Sequence, residues 1–134
     1  MNGHVRTGLK SQVEELTNEL QKRIEGLIFK GGKAVIKRGT TELHFEARLL
    51  RKFPTKSYEK YRLNVYGFLT GVPVSGFIIV QMHKKLRCYG AYGIVTLDRI
   101  ENMMSAEDFI KFVGLTAEDL YKIALVIHAS FHMW

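Results

Sequence analysis

Tyr58–Phe68 reads YEKYRLNVYGF, and its alternation decides what kind of fold this chain builds. Side chains on a strand point to opposite faces with period two. One face then carries Tyr58, Lys60, Arg62, Asn64, Tyr66 and Phe68. The other carries Tyr61, Leu63, Val65 and Leu69, and is a core face. The first mixes aromatic rings with cations. Rings stack on bases and cations meet phosphates, so this mixture suits a protein that holds single-stranded nucleic acid. Tyr and Phe also favour strands for packing reasons alone, so a solvated outer face with large residues is the plainer explanation.

The surrounding pattern extends the sheet. Lys33–Arg38 reads as a strand, Gly39–Thr40 as a tight turn, and Thr41–Phe53 as a second strand. In that second strand Leu43, Phe45, Ala47 and Leu49 alternate with Glu42, His44, Glu46 and Arg48. Leu49–Leu50 interrupts the alternation and suggests a bulge; Pro54 closes the strand. Gly71–Gly76 reads as a loop, and Phe77–Met82 as the most buried strand. Leu86–Leu97 follows, with Arg87, Tyr89 and Ala91 expected on one side and Leu86, Cys88, Tyr92 and Ile94 on the other.

Helices flank the sheet. Ser11 and Glu14 have capping-box spacing, and Val13, Leu16, Leu20, Ile24 and Leu27 form one helical stripe, with Gly31–Gly32 ending it. Ser105–Asp108 and Thr116–Asp119 open two closing helices, each with acids against the N-terminal dipole, and Gly114 separates them. The last helix offers two apolar stripes, one of Leu120, Ile123, Ile127, Phe131 and Trp134 and one of Tyr121, Leu125 and His128. The second stripe suggests contact with another copy, so Tyr121, Leu125, His128, Phe131 and Trp134 are candidate residues of a homodimer interface. The expected fold is a single α+β domain over residues 1–134. It has an N-terminal helix, a mainly antiparallel sheet of four to five strands, and two C-terminal helices on one sheet face.

Charge adds to the argument. The chain has 134 residues, 46% hydrophobic and 25% charged, which is a globular composition. Its net charge is +7, but residues 31–100 hold thirteen basic and four acidic residues, net +9, while residues 101–134 are net −3. The excess therefore sits on the sheet, as expected for a polyanion partner. Scarce Asn, Gln and Pro with helical ion pairs lean towards a thermophilic source. One cysteine, Cys88, excludes an intrachain disulfide, fits a cytoplasmic location, and is expected to pack. No apolar run approaches membrane-spanning length, so no membrane partner is expected.

Other chemistries fit poorly. The pair Phe109–Ile127 resembles a helix-turn-helix loosely, but its second helix begins with Glu118 and Asp119, which repel phosphates. His128 and His132 are spaced i, i+4 but have no third metal ligand nearby. Asp98 and Glu101 are two acids without a further partner for a metal-dependent nuclease. No phosphate-cradling loop or nucleophile elbow is present, so the expectation is a non-enzyme with no cofactor and no metal.

Arg87–Ile94, RCYGAYGI, resembles in part the conserved strand motif of RNA-recognition-motif domains, through Arg87, Tyr89 and Gly90. Cys88, Ala91 and Tyr92 depart from it, so a shared physical solution is the better reading than membership. The helix VEELTNELQKRIEGLI, the strands around YRLNVYGFLT and RCYGAYGIV, and the helices AEDFIKFVG and AEDLYKIALVIHASF together resemble the ThermoDBP-type single-stranded-DNA-binding proteins of thermophilic archaea. That resemblance is one of element order and surface character. It implies sequence-tolerant binding of single-stranded DNA or RNA in a basic, ring-lined cleft, with oligomerisation through helices. The candidate binding residues are Tyr58, Tyr66, Phe68 and Tyr89 for stacking, and Arg48, Lys60, Arg62 and Arg87 for phosphates. A protein–protein adaptor, or a small subunit of a larger assembly, using the apolar final helix is the alternative.

Overall fold

The computed structural model describes residues 2–50 and 57–132, with side-chain environments for 10–50, 57–98 and 101–130. Helix α1 (Asn2–Arg23) leads into β1 (Leu27–Lys30), β2 (Lys33–Arg38), β3 (Thr41–Leu49), β4 (Tyr58–Leu69), β5 (Val72–His83), β6 (Tyr89–Leu97) and β7 (Arg99–Ser105). Helices α2 (Ala106–Phe112) and α3 (Ala117–His132) follow. The strands form one antiparallel sheet in the order β1-β2-β3-β4-β5-β6-β7. Each strand thus pairs with its neighbour in sequence.

The α+β class is as expected, but the sheet has seven strands instead of four or five. Two segments account for the difference. Leu27 continues the helical spacing of Leu20 and Ile24, yet Gly26 ends the helix. Its φ is +79°, and a Cβ there would lie 2.3 Å from the Lys37 carbonyl oxygen. The backbone instead enters β1, where Leu27 pairs with Ile36. Gly31 and Gly32 are therefore not a helix terminus. With φ of +61° and +75° they form the two-residue turn between β1 and β2, a turn that needs two positive φ values. The second addition, β7, lacks a clean alternation in RIENMMS and joins β6 through a register shift at Thr96/Leu97.

Smaller boundaries also move. Helix α1 starts at Asn2, ahead of the Ser11 cap read from sequence. Of the GVPVSG segment only Gly71 belongs to the turn, and Val72–Gly76 are already strand, with Pro73 opposite Phe68. The β3–β4 register is unbroken from Glu42 to Leu49, so no bulge precedes Leu50. The end of that strand at Phe53–Pro54 lies outside the described residues.

All three helices lie on one side. Helix α3 rests against β2 through β6, α2 against β6 and β7, and α1 against β1 and α3. The buried strand positions, including Ile36, Phe45, Leu63, Val65, Ile78, Val80 and Val95, share that side. They meet Phe109 of α2 and Leu120, Ile123 and Ile127 of α3 in one hydrophobic cluster. Among the described residues no helix is long and apolar enough to cross a membrane.

The start of α3 ties the helical layer together. The Asp119 N–H donates to Thr116 Oγ1 (3.0 Å), and the Thr116 N–H donates to Asp119 Oδ2 (3.0 Å), a reciprocal capping box. Asp119 is only 3% exposed, and its Oδ1 lies 2.8 Å from Arg23 Nε at the end of α1. One carboxylate therefore caps α3 and anchors α1. Ser105 caps α2 in the same manner, accepting from the Asp108 N–H at 3.1 Å.

Thr116→Ala should lower stability by about 1 kcal/mol, the usual cost of a lost cap. Asp119→Ala should cost more, about 1.5–2 kcal/mol, because it also removes the ion pair to the half-exposed Arg23. Urea denaturation of both variants checks this; equal losses would mean that the α1–α3 ion pair contributes nothing.

Candidate nucleic-acid interface

Register defines the face that the helices leave bare. One cross-strand row holds Arg48, Arg62, Ile79 and Tyr92 on β3, β4, β5 and β6. The next holds Lys33, Glu46, Asn64, Phe77 and Ile94. The row beyond it holds Val35, His44, Tyr66, Ser75 and Thr96. On the other side of the arginine row lie Lys60 with Gln81, then Tyr58 with His83. Neighbouring strands lie about 4.8 Å apart, so each row is a line of touching side chains.

The face is segregated. Its β1–β4 portion carries Lys30, Lys33, Lys37, Arg48, Lys60 and Arg62 against two acids, Glu42 and Glu46. Its β5–β6 portion carries Phe77, Ile79, Tyr92 and Ile94 and no Lys, Arg, Asp or Glu. Strand β4 is the boundary. Tyr92, Ile94 and Phe68 are 48%, 45% and 47% exposed, unusually open for large apolar groups.

Rings and cations meet along that boundary. The Arg62 guanidinium lies 4.6 Å from the Phe77 ring centroid, and its Nε donates to Asn64 Oδ1 at 3.1 Å. Lys60 Nζ lies 5.9 Å from the Tyr58 ring and 5.8 Å from the Tyr92 ring. These distances allow cation–π attraction, which holds each cation at the surface without neutralising it. Arg48 faces Arg62 directly across the β3–β4 ladder. Like charges in that position destabilise a sheet, so the pair has no stabilising role by itself.

The β2–β3 flank differs, because its charges are already matched. Lys33 donates to the Tyr66 hydroxyl at 2.9 Å and lies 3.6 Å from Glu46. The Tyr66 contact and Glu46 hold the Lys33 ammonium above its ordinary range. Glu42 lies 3.1 Å from His44 Nε2 and 3.8 Å from Lys37 Nζ. The His44 contact, then Lys37, pull its carboxyl below the usual range. His44 stacks flat on Tyr66, with centroids 5.0 Å apart and planes 9° apart.

Six of the expected binding residues lie on this face: Arg48, Tyr58, Lys60, Arg62, Tyr66 and Phe68. Two do not belong to it as expected. Tyr89 pairs with Met82 on the helix side, and its ring lies 5.5 Å from that of Tyr121. Arg87 lies in the β5–β6 turn, not in a strand, with φ of +55° and its guanidinium 3.3 Å from Met82 Sδ. The faces of β6 are thus the reverse of the reading from sequence. Tyr92 and Ile94 point outward, and Cys88 is exposed, not packed. The inward face belongs to Tyr89, Ala91 and Val95 because α2 and α3 cover it. Sequence reasoning missed Phe77 and Tyr92. A parity count from Met82 to Tyr89 would have found them, had the turn length been known.

Of the residues expected at an interface between copies, Tyr121 is enclosed by its own chain, while Leu125 and His128 are half-buried. Tyr121 is 3% exposed and sits between the chain's own Tyr61 and Tyr89, with both centroids at 5.5 Å. His128 packs on Tyr61 at 5.5 Å, and Leu125 is partly buried against the core. The second stripe of α3 therefore meets the sheet of its own chain. The side chains of Phe131 and Trp134 lie outside the described residues. Among the described residues no group of three or more His, Cys, Asp and Glu could hold a metal ion.

Comparison with protein-family models, with curated proteins and with solved structures finds no match.

The tyrosine cluster behind the face has a pH signature. Burial and the Glu59 carboxylate, which accepts from the Tyr61 hydroxyl at 3.1 Å, push the Tyr61 and Tyr121 phenols well above their ordinary range. Their neutral forms belong to the folded state, while unfolded phenols ionise near pH 10. Stability from this source is complete below that pH and falls as pH rises beyond it. A spectrophotometric titration should reveal late-ionising phenols, and Tyr121→Phe should remove part of that late absorbance.

Proposed function

We propose that the bare face of the sheet binds single-stranded nucleic acid, DNA or RNA, with little sequence preference and without catalysing a reaction. The observation that carries this reading is the Arg48–Arg62 pair, two cations set side by side at the line where the charged half of the face meets the ring-bearing half. A polyanion relieves their repulsion. A single strand has phosphates along one edge and unpaired bases along the other, the same segregation that the face has.

The strand then lies along β4. Its phosphates run over Arg48, Arg62 and Lys60, and its bases over Tyr58, Phe77 and Tyr92. Stacking accepts any base, because every base has a π face, so the binding is sequence-tolerant. A duplex keeps its base faces inside and meets only the cations. Tyr66 and Lys33 contribute less than their exposure suggests, since each already holds the other and His44 covers one side of the ring. The adaptor alternative draws no support from α3, whose second stripe includes the buried Tyr121.

Fluorescence anisotropy with a labelled oligonucleotide tests the reading. Tyr92→Ala should weaken binding by about fivefold or more, the lower end of what a lost base stack costs. Arg62→Ala should weaken it and reduce the slope of log K against log salt by about 0.7, the value of one phosphate contact on a single strand. Tyr66→Ala should have the smaller effect. Affinity that ignores salt, or that neither Tyr92→Ala nor Arg62→Ala changes, overturns the reading.

A further inference from the structure

The turn between β5 and β6 carries Lys84, Lys85, Leu86 and Arg87, and Leu86 is 72% exposed. A single exposed apolar side chain is ordinary on a surface, and what sets this one apart is its setting. The turn is held in one shape. The His83 N–H donates to the Cys88 carbonyl at 2.9 Å, and the Arg87 N–H to the His83 carbonyl at 2.8 Å. The Leu86 N–H donates to His83 Nδ1 at 3.1 Å. The Lys84 N–H donates to the Ser57 carbonyl at 2.8 Å, fastening the turn beside the start of β4. Arg87 adopts a left-handed backbone, a conformation that costs energy for any residue with a side chain.

The turn thus presents one rigid leucine flanked by three exposed cations, with no acid between His83 and Cys88. Among the described residues none of the three cations is in an ion pair. The turn stands at the Tyr58 end of the outer face, since His83 pairs with Tyr58 and meets its ring edge-on at 5.1 Å. Lys84 and Lys85 belong to the turn beside this end of the face, whereas the Arg87 guanidinium lies against Met82, a buried residue of the helix side.

We infer that this turn is a wedge for the end of a duplex, and that the preferred ligand is a junction where paired nucleic acid opens into a single strand. Apolar side chains such as Leu, inserted between base steps by minor-groove binders, partly unstack them. Leu86 would cover the last base pair or enter beneath it. Lys84, Lys85 and Arg87 would hold the two diverging backbones. One released strand would continue onto Tyr58, Lys60 and Arg62. This rests on the single-strand reading of the sheet face and adds the class of substrate. A basic turn with one apolar tip could also touch an anionic lipid surface. A lone leucine buries too little area to hold a membrane, and the turn's place beside the ring-bearing face favours nucleic acid.

The test uses the full chain and three oligonucleotide probes: a single strand, a blunt duplex, and a duplex with a single-stranded tail that carries 2-aminopurine in its terminal pair. The native protein should bind the tailed duplex about tenfold more tightly than the single strand, as burial of one leucine allows. It should also raise the 2-aminopurine fluorescence as the terminal pair unstacks. Leu86→Ser should abolish both effects and leave affinity for the single strand within about twofold, because the face is untouched. If the native protein binds the single strand but prefers no junction, or if Leu86→Ser keeps the preference, the wedge is wrong and the face reading stands. If neither probe is bound, both fail. Sedimentation with phosphatidylserine vesicles that requires Leu86, without junction preference, would assign the turn to a lipid surface and overturn the wedge.

Discussion

Everything in this molecule follows from coverage of the sheet on one side only. A seven-stranded antiparallel sheet has two faces, and the three helices all pack on the same one. The constraint comes from alternation: each strand can send large apolar residues to the helices only by sending its remaining residues to the other side. Tyr61, Leu63 and Val65 go inward and are at most 2% exposed, so Lys60, Arg62, Asn64 and Tyr66 must go outward. The Asp119 cap and its Arg23 ion pair keep α1 and α3 locked above the inward rows.

That constraint gives the outward face its character. A face free to be merely soluble would intersperse charges of both signs and avoid apolar groups. The β2–β3 flank does so, with Lys33 paired to Glu46, and Lys37 and His44 paired to Glu42. The β4–β6 region does not. The β3–β4 ladder there sets two arginines opposite each other, and β6 leaves Tyr92 and Ile94 half exposed. The contrast within one sheet separates matched charge from unmatched charge, and it moves the centre of the candidate site towards β5 and β6.

The sequence disclosed the parts of this plan that depend on local rules. The two faces of β4 were legible because Tyr61, Leu63, Val65 and Leu69 share one parity while the other is mostly polar. Ser105 and Thr116 were legible as caps because the spacing to Asp108 and Asp119 is specific. Strand β1 was hidden because Leu27 fits the stripe of the preceding helix as well as it fits a strand. The faces of β6 were hidden because YGAYGIV is apolar on both, so alternation alone cannot say which side is covered. The second stripe of α3 looked unpartnered because nothing in Tyr121, Leu125 and His128 reveals that Tyr61 and Tyr89 wait on the sheet. Long-range packing decided each of these, and single-chain periodicity does not contain it.

The most direct measurement of the central claim is photochemical crosslinking of the protein to a 5-bromouracil oligonucleotide, with the adducts located by mass spectrometry. Adducts should fall on the outward residues Tyr58, Phe77 and Tyr92, with none on α1 or α3. Adducts confined to the helices, or spread without regard to face, would contradict it.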